Sequence, residues 1–168
     1  LTVMVACRKS IFVIVAVIAM TGLSLGYDEA AVIEAFSQAA TAYANDSFLL
    51  LGMVGDQFVS GIFSQESAIS TVAGVQKRIR IIRSKINLTR GMAKTERDRK
   101  WLKMLNGIYI CLDQQAWAMS KYVNEKTPAN AKRFDDLRNN CLEKLNLLEQ
   151  YHASLGFSKE LPAPLSTR

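Results

Sequence analysis

Few residues in this chain carry chemistry, and their spacing limits what they can do. Its single histidine is His152. Glu149 and His152 form a Glu-x-x-His step, which on a helix aims a carboxylate and an imidazole at one centre. Di-iron bundles use two such motifs, and here a second histidine is missing. A c-type haem needs Cys-x-x-Cys-His, which is absent. A b-type haem held by His152 with Met104 or Met92 ranks last among the readings below. A Ser-His-Asp or Cys-His enzyme would depend on His152, and no nucleophile elbow supports one. There is no P-loop and no Gly-rich dinucleotide motif. The expectation is a non-catalytic protein with no cofactor and no metal.

Three cysteines remain to be placed. Cys7 precedes an apolar run, whereas a lipoprotein cysteine follows one. Cys111 and Cys141 each stand fifteen residues from Lys126, where two helices turn. In an antiparallel hairpin, equal distances from the turn mean equal height. Two readings stand: a disulfide, which an oxidising compartment permits, or two small buried thiols. A bond requires Cα atoms within ~7 Å.

The formal net charge is +6, from 21 Lys and Arg against 15 Asp and Glu. It is sorted along the chain. Residues 27–65 hold Asp28, Glu29, Glu34, Asp46 and Asp56 and no base, a net of −5. Residues 66–103 carry a net of +8 and residues 104–168 a net of +1. The bases form a candidate surface for an anionic partner: Lys77, Arg78, Arg80, Arg83, Lys85, Arg97, Arg99, Lys100 and Lys103, with Arg90 and Lys94 beside them. The plainer reading is a solvated face whose charge an acidic neighbouring helix offsets.

Residues 11–20, IFVIVAVIAM, are unbroken apolar sequence behind Arg8 and Lys9. Ser24 and Gly26 are small, and Tyr27-Asp28-Glu29 opens a polar stretch. This is the pattern of a secretory signal peptide spanning 1–26, cleaved after Gly26. The apolar run from Ile11 to Leu25 is short of the ~20 residues of a spanning helix. The alternative is an uncleaved anchor in the inner membrane through residues 11–25.

The elements that must position these residues are helical. No proline lies between Tyr27 and Thr127. Apolar residues step by three and four through four segments. The first runs from about Asp28 to Ser60, with Ile33, Phe36, Ala40, Tyr43, Ser47, Leu50 and Val54 on one side. Gly52 and Gly55 are expected to weaken, kink or break its second half. A β-hairpin over residues 48–63 is the alternative there. The second runs from about Glu66 to Leu88 along Val72, Val75, Ile79, Ile82 and Ile86. The third starts after Thr95, whose pairing with Asp98 resembles a capping box. It runs along Trp101, Leu105, Ile108, Leu112, Gln115, Met119 and Tyr122. The fourth starts at Thr127-Pro128, a cap followed by proline at the first helical position. Phe134, Leu137, Cys141, Leu145, Leu148 and Leu155 follow, and Gly156 stops it. Trp101, Tyr109 and Trp117 read as core or groove residues. Leu49–Phe63 reads as a segment buried in the bundle, with partner or lipid contact as the alternative.

Short connections predict an all-α, four-helix, antiparallel up-down-up-down bundle over residues 27–158, between the signal peptide and a loose tail at 159–168. The function expected is that of an exported binding or structural module of the bacterial envelope, periplasmic or secreted. Its partner would be a protein or an envelope polymer. The second reading is a peripheral membrane module whose basic hairpin touches anionic lipid. Nucleic acid is not expected, because an exported protein rarely meets it and no nucleic-acid motif is present.

Overall fold

The computed structural model describes residues 28–154. The expected signal peptide, the expected tail and the expected stop at Leu155-Gly156 lie outside the described residues. Four helices fill the described chain: α1 Glu29–Val59, α2 Gln65–Met92, α3 Glu96–Asn124 and α4 Pro128–Ser154. Among the described residues there is no strand, so the chain is an all-α four-helix fold. None of these helices is long and apolar enough to cross a membrane.

Local chemistry sets the helix ends. The Asp28 carboxylate accepts from the Ala30 N–H and caps α1. Ser64 Oγ accepts from the Ser67 N–H and caps α2. Thr95 Oγ1 accepts from the Asp98 N–H and caps α3. Thr127 Oγ1 accepts from the Asn130 N–H before Pro128 opens α4. α1 ends in a Schellman turn: Gly61 adopts φ 75°, and the Ile62 and Gly61 N–H groups donate to the Gln57 and Phe58 carbonyls. α2 outruns its expected end at Leu88 and reaches Met92. Thr89 faces the helix and donates to the Lys85 carbonyl, and Arg90 suits the negative end of the dipole.

Neighbouring helices run antiparallel. Lys94, just past α2, pairs with Glu29 at the start of α1. Trp101 near the start of α3 meets Tyr151 and His152 near the end of α4. Phe58 and Tyr122 meet edge to face, so α1 and α3 end at the same height. The helices do not form a square. α3 touches all three others, and α2 and α4 flank it without touching each other. α1 lies against one side of this α2–α3–α4 layer.

This placement corrects the reading of α1. Its helix is unbroken through Gly52 and Gly55, and no hairpin forms. Both glycines are buried contact points. A Cβ on Gly52 would fall 2.8 Å from Arg138 Nη2, and one on Gly55 would fall 3.1 Å from the Phe134 ring. α4 therefore approaches the α1 backbone through positions with no side chain. The buried stripe is also rotated from the expected one. Ser37, Ala40, Ala44, Ser47, Leu51, Val54 and Phe58 are inside, while Phe36, Tyr43 and Leu50 pack at the margin. Small residues at the contact let two helices come close, so bulk moves to the flanks. The expected stripe of α3 is buried from Trp101 to Met119, and Tyr122 is half-buried. Leu49, Met53, Val59 and Ile62 are exposed, so only part of Leu49–Phe63 is core.

Candidate functional site

The nine bases expected to form one anionic-partner surface differ in their contacts. Five are engaged locally. Arg78 Nε donates to the Gly74 carbonyl, and Arg99 Nη1 to that of Ala93. Arg97 pairs with Asp98, and Lys100 Nζ lies 4.6 Å from the Tyr151 ring centre. Arg80 Nε lies 3.0 Å from Asp113 Oδ1. Lys77, Arg83, Lys85 and Lys103 form no ion pair among the described residues.

Among the described residues, ion pairs do not join α1 to α2 along its length. Lys94 and Glu29 join the two segments at one end. The hydrogen bond to Glu29 holds the Lys94 ammonium above its ordinary pKa. Asp56 faces Arg138 of α4 instead. The outward side of α2 carries Lys77, Ile81, Lys85, Leu88 and Met92 at helical spacing, all exposed. Leu88 is 63% exposed.

The separation of α2 from α4 leaves one side of α3 uncovered. Lys103, Gly107, Ile110, Gln114, Trp117 and Lys121 step along that side and are exposed or half-buried. An open groove of about 580 Å³ lies over it, within the ~300–1,000 Å³ range of small-ligand clefts. Gln76 and Arg80 form the α2 wall; Arg133, Asp136, Leu137 and Asn140 form the α4 wall; Asp113, Gln114 and Trp117 form the floor.

The groove is organised by fixed contacts. Asp113 Oδ1 accepts from Gln76 Nε2 at 2.9 Å and from Arg80 Nε at 3.0 Å. Lys132 holds Asp136 at 2.7 Å. Both groove carboxylates are thus already met by a cation. The Arg133 guanidinium lies 4.6 Å from the Trp117 ring centre, and Lys121 Nζ lies 5.8 Å from it. The Trp117 indole is 42% exposed. The lining carries Arg80 and Arg133 against Asp113 and Asp136, and Lys132 and Lys121, each in contact with a lining residue, add two positive charges.

Cys111 and Cys141 meet between α3 and α4, with Cα atoms 5.6 Å apart and the sulfurs joined as a disulfide. Cys111 lies beside the stripe and Cys141 within it, and both are buried. His152 packs 5.2 Å from the Trp101 ring, over a pocket of about 40 Å³. That is room for a few water-sized groups. Among the described residues, no three His, Cys, Asp or Glu side chains cluster as a metal ion requires.

Two features escaped the sequence pattern. Trp117 lies roughly 160° around α3 from Trp101, off the buried stripe, and opens onto the groove, while Trp101 and Tyr109 are buried. That the far side of α3 stays uncovered, so that a groove forms at Trp117, depends on how α2 and α4 pack. Gln76, Asp113 and Arg133 are distant in sequence and meet only through packing. The one available signal was the polar run Asp113-Gln114 interrupting the apolar rhythm of α3. Gln115 is the reverse case: it is fully buried, and neither side-chain polar atom has a hydrogen-bond partner. Comparison with protein-family models, with curated proteins and with solved structures finds no match.

Proposed function

We propose that this chain is an exported, non-catalytic helical-bundle protein that acts as a binding module of the bacterial cell envelope. The open groove over α3 carries the reading. Gln76, Arg80 and Asp113 are held by hydrogen bonds before any ligand arrives, which lowers the ordering cost of binding at that wall. The basic segment, small residues and apolar run at the N-terminus support export. The bonded geometry of Cys111 and Cys141 suits an oxidising compartment.

The test is expression of the chain with its own N-terminus, followed by fractionation and N-terminal sequencing. A chain beginning at Tyr27, in the soluble envelope fraction, is expected. A chain retained in the cytosol with residues 1–26 attached would overturn the reading.

A second reading has its own observation. The outward stripe of α2 alternates Lys77 and Lys85 with exposed Ile81, Leu88 and Met92. Cations beside apolar side chains on one helical face suit an anionic lipid surface. Co-sedimentation with anionic vesicles that disappears at high salt, and in Leu88→Glu, would favour it over the first.

A further inference from the structure

We propose that the groove between α2 and α4 binds a carboxylate-bearing saccharide chain, with one sugar ring against Trp117. This rests on the reading of the protein as an envelope binding module and names the ligand class of its groove.

The composition of the groove points to a polyhydroxylated ligand. Apart from Trp117 and Leu137, every lining residue ends in a planar amide, carboxylate or guanidinium. Such groups present donors and acceptors in pairs, which match the neighbouring hydroxyls of a pyranose. A partner helix would call for a different groove, because the buried centres of protein interfaces are depleted in charge. The aromatic element is also in place. A pyranose has one face of C–H groups and a rim of hydroxyls. Its apolar face can lie on an indole while the rim meets the walls.

The charge sets the sign of the ligand. Lys132 neutralises Asp136, and Gln76 and Arg80 engage Asp113, so neither carboxylate repels an anion unopposed. Arg80 spends its Nε on Asp113, and its side chain is still 61% exposed. Arg133 and Lys121 both stand over Trp117, which is still exposed, so the sugar meets the part of the indole that they leave open. A carboxylate on a sugar held at Trp117 would therefore lie between cations. Guanidinium–carboxylate pairing is directional and charge-assisted, so it selects an acid sugar over a neutral one.

The experiment titrates the exported, disulfide-bonded chain with a uronic-acid oligomer, a neutral hexose oligomer, inorganic polyphosphate and phosphatidylglycerol vesicles. Binding is read by calorimetry and by tryptophan emission. Trp101 and Trp117 are the chain's two tryptophans, and Trp101 is buried. The uronic oligomer should bind and shift the emission. Trp117→Ala and Arg133→Ala should each weaken it by about tenfold or more. The neutral oligomer should bind at least about tenfold more weakly than the acidic one.

Asn140→Ala provides a milder wall variant if Trp117→Ala proves unstable, and it too should weaken the uronic oligomer. Three results would each overturn the proposal: no binding of the uronic oligomer, equal binding of the neutral one, or binding indifferent to Trp117, Arg133 and Asn140. Tight binding of polyphosphate or vesicles without the uronic oligomer would also remove the saccharide. The envelope-module reading would survive that result, because fractionation tests it separately.

Discussion

The two sides of α3 are built from one helix and behave as different materials. Toward α1, the helix presents Leu105, Ile108, Tyr109, Leu112 and Ala116, all buried. Away from α1, between the two flanking helices, it presents Lys103, Gly107, Gln114, Trp117 and Lys121. The first side is fastened to α1 by the Tyr109 hydroxyl, which donates to the Ala40 carbonyl. The second is organised only by hydrogen bonds and ring contacts at its walls. One side holds the fold together, and the other is available for work.

Substitutions on the two sides should therefore differ sharply. The largest effect is expected at Leu112, which is fully buried. Leu112→Ala should cost about 2–5 kcal/mol, as transfer plus cavity terms. Chemical denaturation reads it, and a loss below about 1 kcal/mol would mean that α1 does not pack there as described.

Next in size is the seam between α3 and α4. Reducing the Cys111–Cys141 bond should remove about 3–4 kcal/mol, the loop-closure entropy restored to the unfolded chain. Melting with and without reductant measures this. Mass spectrometry of the untreated protein should find no free thiol at either position.

A smaller effect, visible only at high pH, belongs to Tyr109. Its hydroxyl donates to the Ala40 carbonyl at 2.8 Å inside the bundle. Burial, then Tyr43 and Asp46, raise its pKa well above the ordinary 10.0. Above that value an unfolded tyrosine ionises and the folded one does not, so the unfolded state loses protons first. Stability should fall with rising pH from about 10, by roughly 1.4 kcal/mol per unit for this group. Tyr109→Phe should flatten that slope in alkaline melts while losing the bond to Ala40.

A gain is expected at Gln115, whose buried amide is unpartnered. Gln115→Met keeps the length and removes the desolvated polar atoms. It should stabilise by about 1 kcal/mol, at the low end of the cost of an unmet buried group. A loss of stability in the same denaturation assay would show that the amide is satisfied in solution.

The smallest effect is the control for the open side. Gln114→Ala should change stability by less than about 0.5 kcal/mol. A change as large as that of Leu112→Ala would erase the distinction between the two sides.

Particular residues show where the sequence pattern was sufficient. Thr95 with Asp98, and Thr127 before Pro128, mark helix starts because capping is settled within one turn. Ser64 caps α2 by the same chemistry but stands before Gln-Glu-Ser, with no apolar rhythm yet to announce a helix. The stripe of α3 was readable because large apolar residues recur along it. The stripe of α1 was not. Its contact side holds serine, alanine and glycine, which carry little hydropathy signal, and its large residues sit at the margins.

The sequence alone was enough for four helices, their order, two of their four N-terminal caps and the equal height of Cys111 and Cys141, because periodicity, capping and loop length act over a few residues. It also carried the charge sorting, from −5 to +8, that the total of +6 conceals. Tertiary structure decided the rest. It seated α1 on one side of α3, turned Gly52 and Gly55 from weak points into contacts and opened the groove at Trp117. Each depends on which helix stands opposite a residue, and that is set by contacts between segments far apart in the sequence.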